Sequence, residues 1–519
     1  MSFPVDRAWV NGRVFTGLGF AEGFLVEGGE VRAVGPDDVV RRAKGTGTEL
    51  VDLRGRLVLP GLVDLHMHLT DTLLEREGVD LHGARSREEV AQRVRARLTP
   101  GSSRPLVGVG WDSTLWSESR YPTRDDLDRI STEQPLVLFQ VSMHAAALNS
   151  RALQGFGFDE RSVDPPGGRL GRDPSGRLNG VLYDSALTRL NSPPLGPEPA
   201  EANLPGYRRV LEEAASLGLT TICPMLATPE EIGAVAALSR EGLPVRVRFY
   251  LELRSLGRYR SLPIPSSGSA WRIAGMKAIT DGAFGTRTAW LSRPYTDAPE
   301  TSGYPIGNDE ELEQALRDAR ALGLPPALHA IGDRALERAL ALLVKVESVG
   351  IPRVEHASLT PPALWPALVT GRPHLVVQPR FVETDRWAVE RLGPERARWT
   401  HAFRTLTDHG FALGGSSDSP VEPLDPWTGL RAAVFRAPRS EFGRLTASER
   451  LAPIEAFQMY TRNAGLILGE PGLGCLTTGS PGDFVVTSTP SLDAALAAER
   501  PPVLETWVGG WRRFPALAA

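Results

Sequence analysis

Eight short apolar segments recur between residues 61 and 416, and their alternation with longer helix-like stretches constrains this chain more than any other feature. They are 61–67 (GLVDLHM), 219–225 (LTTICPM), 245–252 (VRVRFYLE), 273–279 (IAGMKAI), 325–330 (PPALHA), 352–356 (PRVEH), 374–379 (HLVVQP) and 411–416 (FALGGS). Between them lie helical patterns such as DEELEQALRDARALG at 309–323 and DRALERALALLVKVESVG at 333–350. Strand, helix, strand at this spacing predicts parallel βαβ units. Eight such units predict an α/β fold of the (β/α)8 TIM-barrel kind, with catalytic groups at the C-terminal strand ends. An open doubly wound sheet is the rival architecture, but no GxGxxG or Walker loop follows a strand here.

The flanks read differently. AWVNGRVF, GFLVEGGEVRAVG and ELVDLRGRLVLPG near the start alternate Val and Leu with Gly-rich turns, and GDFVVTSTP and VLETWVGGWRRF near the end repeat the style. Neither fragment makes a stable sheet alone. Residues 1–58 and 470–519 are therefore expected to meet in one small discontinuous β-sandwich, flanking a barrel of 59–69 plus 205–469. Residues 70–204 fit the alternation poorly. They hold one strand candidate (PLVLFQVS, 135–142) and a loop-like stretch (DPPGGRLGRDPSGRLNG), and read as an insertion after the first barrel strand that covers the mouth.

The charge balance narrows the partners. A net charge of -4 over 519 residues gives no footprint for nucleic acid or an anionic membrane. No apolar run is long enough to cross a bilayer, and MSFPVDRAWVNGRVFTG lacks a signal-peptide pattern, so a cytoplasmic location is expected. Two cysteines, Cys223 and Cys475, provide no disulfide framework. A small-molecule substrate is the expected partner, and the chain leaves room for a homo-oligomer.

Ligand-type residues collect at the ends of the predicted strands. His66 and His68 form a His-x-His pair on the first, and alternate strand residues face the same way. His329 and His356 end two further strands, and Asp418 follows the last, in GGSSDSP. Side chains at the ends of separate barrel strands converge by geometry, which suits a divalent cation. Lys277 ends the strand IAGMKAI and is one of only three lysines. It reads either as a substrate anchor or ion-pair partner, or as a carbamate. In the second reading, desolvation near cations makes the amine neutral, and addition of CO₂ gives a carboxylate able to bridge two ions.

The order HxH, Lys, His, His, Asp resembles the amidohydrolase superfamily. GLVDLHMHL (61–69), GVGWDSTLW (108–116), KAITDGAFGTRTAWL (277–291), HAIGDRALERAL (329–340), RVEHA (353–357) and GGSSDSPVEPLDPWTGL (414–430) resemble amidohydrolase family 3, the group of YtcJ-like proteins and N-substituted formamide deformylases. The resemblance implies that His66 and His68 bind a more buried metal and His329 and His356 a more exposed one. It implies that carbamylated Lys277 bridges them and that Asp418 contacts the metal and transfers the proton. One or two ions, Zn²⁺ above Mn²⁺ or Fe²⁺, suit such a set. The implied reaction is hydrolysis of a non-peptide C–N bond in an amide, formamide or cyclic amide. A lactone or ester hydrolase, or an isomerase or decarboxylase on the same scaffold, is the alternative.

Further positions are expected to meet substrate. Trp111 and Asp112 would line the pocket from the insertion, and His144 (VSMHAAALNS) resembles a substrate-contacting histidine of the family. Asp281 and Arg287 follow the Lys277 strand; Arg287 would hold a substrate carboxylate or form a structural ion pair. The chain departs from the family at Gln378-Pro379-Arg380-Phe381, where many relatives carry a final His, and at Thr221-Ile222-Cys223-Pro224-Met225, where many carry a His or Asp. Both sites are expected to face the pocket, Phe381 making it more apolar. His82, His374, His401 and His409 are assigned to surface or packing.

Overall fold

The computed structural model describes residues 5–190, 203–253 and 270–515. Eight strands form one parallel sheet in chain order: β1 (Leu62–Met67), β2 (Leu219–Ala227), β3 (Arg246–Glu252), β4 (Trp271–Ile279), β5 (Pro326–Ala330), β6 (Arg353–His356), β7 (His374–Val377) and β8 (Leu413–Gly415). The ring is joined just beyond its last strand: Asp418 N–H donates to His66 O at 2.7 Å, and His68 N–H donates to Ser419 O at 2.8 Å. All eight strands fall where the apolar segments predict them.

Packing explains why these segments become strands. Val63, Leu65, Cys223, Met225, Tyr250, Ala274, Ala327 and Val376 come from six different strands yet form one buried cluster, which only the inside of a closed ring permits. Outside, helices bury their apolar stripes against the ring. In the helix Asp309–Ala321, Leu312, Ala315, Leu316 and Ala319 are buried, and the Asn308 side chain caps its start by accepting from Glu311 N. The helix predicted over 333–350 runs only from Asp333 to Lys345. Val346 turns extended, because the following VESVGIP offers β-branched residues, glycine and proline instead of a further apolar turn.

The termini do meet. Leu57–Pro60 pairs antiparallel with Phe484–Thr487 inside a six-stranded sheet, and a four-stranded sheet of N-terminal strands lies beside it. The two share a core in which Trp9 stacks on Phe24 (centroids 4.9 Å apart) and meets Phe484 edge-on at 4.8 Å.

The insertion carries more structure than its sequence suggests. Six strands run in the order Gly168–Arg172, Leu178–Asp184, Ala145–Leu148, Leu136–Gln140, Leu106–Trp111, Val79–Asp80. The loop-like DPPGGRLGRDPSGRLNG is a hairpin. Asp173 accepts from Ser175 N and Arg177 N, and Gly176 N–H donates to Asp173 O, closing a tight turn between two strands. Residues 191–202, the end of the expected insertion, lie outside the described residues.

Candidate metal centre

The C-terminal strand ends open into one cavity of about 810 Å³, lined by all six expected ligands: His66, His68, Lys277, His329, His356 and Asp418. Ligand atoms of His66, His68 and Asp418 lie within 4.8 Å of one another. Asp418 Oδ1 is 3.2 Å from Nε2 of each histidine. His356 stands beside them, its ring centroid 5.0 Å from that of His66 and 4.3 Å from that of His329. His356 (φ 69°) and Asp418 (φ 59°) both occupy the left-handed region, a backbone conformation that costs about 1–3 kcal/mol and collects at functional sites.

Supporting groups orient the imidazoles. Nδ1 of His66 lies 2.7 Å from Glu355 Oε2. Burial alone would raise the Glu355 carboxyl, but the neighbouring Arg353 guanidinium and His66 outweigh it and hold it at about 2. An ionised Glu355 accepts from Nδ1–H and fixes the orientation of the His66 ring. Nδ1 of His356 is 2.7 Å from Gln378 Oε1, whose amide in turn donates to Ser416 Oγ at 3.0 Å. Gln378, from one of the two stretches that depart from the family pattern, thus serves His356. His329 is engaged by the segment after β4: its Nε2 lies 3.3 Å from Gly282 O and 3.4 Å from Asp281 Oδ1.

The electrostatics suit a cation. Burial would raise the Asp418 carboxyl, yet His66 and His68, each with Nε2 at 3.2 Å, hold it well below the usual carboxylate range. Burial, with His329 alongside, pushes His356 well below the ordinary imidazole value, which keeps it neutral as ligation requires. Lys277 is 1% exposed, and its Nζ has no hydrogen-bond partner among the described residues. Burial brings its amine down to about 8, against the pull of Glu355 and Asp418. The Lys277 amine, without a partner among the described residues and lowered in basicity, lines the same cavity as the ligand-type side chains. The residues present therefore fit a divalent cation.

The expected substrate-contacting residues divide. Asp112, His144 and Phe381 line the cavity. Asp112 also accepts from Thr114 N and Oγ1, His144 Nδ1 lies 2.7 Å from Asp184 Oδ1, and the Phe381 ring lies parallel to that of His356, 6.3 Å away. Trp111 is corrected: it is fully buried in the insertion's own core, its indole N–H donating to Leu138 O. Arg287 takes the ion-pair alternative: it donates from Nε and Nη2 to Asp297 Oδ2 at 3.1 and 2.6 Å. Asp281 does not line the cavity; its carboxylate accepts from the backbone N–H groups of Trp290, Ile331 and Gly332. Of the second departing stretch, Met225 reaches the cavity, whereas Cys223 belongs to the core inside the ring.

Among the cavity residues that the sequence did not single out are Asp71, Asp184 and Glu231, and His82, expected at the surface or in packing, lines the cavity too. Asp184 carried a usable signal, because it ends the strand LNGVLYD that pairs antiparallel with the segment beginning at Ala145, directly after His144. His82 and Glu231 carried none.

Comparison with known proteins agrees with this architecture. The amidohydrolase family model matches residues 49–513, and the chain belongs to that family of hydrolases. It is 31% identical to YtcJ of Bacillus subtilis, covering 92% of this chain and 94% of YtcJ. It is 24% identical to the N-substituted formamide deformylase of Arthrobacter pascens, over 95% of each chain. Among solved structures, a metal-dependent hydrolase from Pyrococcus horikoshii is 31% identical, with a TM-score of 0.78 over 95% of this chain and 99% of the other.

Proposed function

We propose that this protein is a metal-dependent hydrolase of a non-peptide C–N bond in a small amide, formamide or cyclic amide. The observation that carries the reading is the placement of Asp418 Oδ1 at 3.2 Å from both His66 Nε2 and His68 Nε2, inside a cavity that also holds the Lys277 amine, unpartnered among the described residues. The similarity to an N-substituted formamide deformylase supports the choice of bond.

His66, His68, His356 and Asp418 would hold a divalent cation, with His329 and carbamylated Lys277 available for a second; Zn²⁺ suits this mixed imidazole and carboxylate set. A cation bound there supplies Lewis acidity, lowering the pKa of water and polarising a carbonyl oxygen. Forming the carbamate joins the Lys277 nitrogen to CO₂ carbon and releases one proton, which the lowered basicity of the amine favours. Asp418, held ionised, accepts a proton from the attacking water and delivers it to the leaving nitrogen. Glu355 keeps His66 in one tautomer during this exchange, and Gln378 does the same for His356. His144, from the insertion, and Phe381, after β7, would meet the substrate in the cavity, one polar and one apolar.

The test is metal analysis of the purified protein combined with a screen of N-acyl, formamide and cyclic amide substrates. Asp418→Asn is expected to keep metal and lose about 10²–10⁴-fold in turnover, the usual worth of a positioned acid/base. Full turnover in that variant, or a metal-free protein that hydrolyses the same substrates, overturns the reading.

A further inference from the structure

The cavity wall between β1 and β2 is acidic in a way the hydrolytic chemistry does not use. Most other carboxylates at the cavity are committed. Asp184 is held by His144 and Tyr304, Asp385 by His401 Nε2 at 2.9 Å, Glu383 by Arg380, and Glu422 by Thr384 with Arg380 beside it. Asp112 caps its own turn, and Glu252 is engaged as well. Asp71 and Glu231 remain.

Glu231 lies just inside the helix Pro229–Leu238 that follows β2, and is 3% exposed. Its Oε2 accepts from Thr70 N at 3.1 Å and Thr70 Oγ1 at 2.6 Å, and Tyr207 OH, 2.9 Å from Thr70 Oγ1, fixes that hydroxyl from behind. Its Oε1 is buried without a hydrogen-bond partner among the described residues. A buried acceptor left unpaired is unfavourable, and a ligand that brings a donor to this oxygen would complete it. Asp71 lies three residues after His68, its carboxylate 4.0 Å from the His68 ring, and is more than one-third exposed toward the same space. The two cationic chains that line the cavity, Lys277 and Arg386, arise from β4 and from the segment after β7, not from this wall. Met225 and Leu226 beside it offer an apolar surface.

We infer that Asp71 and Glu231 form a subsite for a nitrogen-centred cation, so that the substrate carries an ammonium or guanidinium group on a short apolar stem close to the bond that is cleaved. A cation with several N–H donors completes the coordination of Glu231 Oε1 and pairs with Asp71 at the same time. Burial raises the Glu231 carboxyl to about 7, so a bound cation also returns it to the ionised form. Calling this ligand a substrate rests on the hydrolase reading above, whereas the cation preference of the wall does not.

The experiment is therefore binding, not turnover. Calorimetric titration of the metal-replete protein with n-butylguanidinium and with its neutral isostere n-butylurea, at pH 8, reads the charge preference directly, and neither probe needs to be hydrolysed. The guanidinium is expected to bind at least 10-fold more tightly than the urea. Asp71→Asn and Glu231→Gln should each lower that ratio by 3-fold or more. Asp71 is partly exposed, so its variant keeps the test open if the Glu231 variant does not fold. Equal affinity of the two probes for the native protein, or a ratio unmoved by Asp71→Asn, overturns the subsite. A preserved preference in a protein that hydrolyses no N-acyl substrate would instead count against the hydrolase reading alone.

Discussion

Glu355 Oε2 lies 2.7 Å from Nδ1 of His66, and the Arg353 that neutralises this carboxylate also donates to the carbonyl of Leu65, the residue just before His66. One buried arginine thus fixes both the ring and the backbone of a candidate metal ligand. Glu355→Gln is expected to weaken metal affinity about 10–100-fold while leaving the ligand set intact, the typical effect of removing a group that orients a ligating histidine. Competition with a chromogenic chelator measures it; unchanged affinity would assign Glu355 to packing alone.

Gln378 takes the matching part for His356. Gln378→Leu leaves Nδ1–H of a buried imidazole without an acceptor, at a cost of about 1–3 kcal/mol. Gln378→Glu restores an acceptor and should recover metal binding more than the Leu variant does. Urea denaturation and metal titration of the two variants make the comparison.

Asp281 is expected to act on stability before activity. Its carboxylate accepts three backbone N–H groups from the segments after β4 and β5. Asp281→Ala strands all three and should cost about 3 kcal/mol or more. Asp281→Asn keeps acceptor capacity and should cost less. A substrate-binding role would instead raise KM at native stability.

Glu422 gives the fold a pH dependence. Burial pushes its carboxyl up to about 7 from an ordinary 4.5, with Thr384 opposing. A raised acid is held neutral by the fold, so its stabilisation is complete below about 4.5 and is lost as pH rises through 7. Native protein should therefore lose on the order of 3 kcal/mol across that window through this one group, and Glu422→Gln should flatten that part of the curve. Equal slopes for the two proteins between pH 4.5 and 7.5 would refute it.

The ring and the gathering of its candidate ligands were legible because two independent patterns coincide in the sequence. Apolar runs mark the strands, and His66, His329, His356 and Lys277 sit at their ends, so barrel geometry alone brings distant residues together. What stayed hidden depends on contacts that no local pattern encodes. Trp111 and Asp112 are adjacent in GVGWDSTLW, and only the sheet of the insertion decides that the indole turns into its own core while the carboxylate meets the cavity. Arg287 finds Asp297 ten residues on, across a turn without a regular repeat. Glu231 looks like any acid in the first turn of a helix until Thr70, 161 residues away, claims one of its oxygens.

The backbone bonds that join β1 to the loop after β8 tie His66 directly to Asp418, residues from opposite ends of the barrel's chain order. Any fragment lacking the eighth unit would keep the His66 and His68 pair but lose Asp418, the carboxylate that lies 3.2 Å from both. Cation affinity is thus a gauge of circular integrity: a local opening of the seam should release metal well before the rest of the molecule unravels.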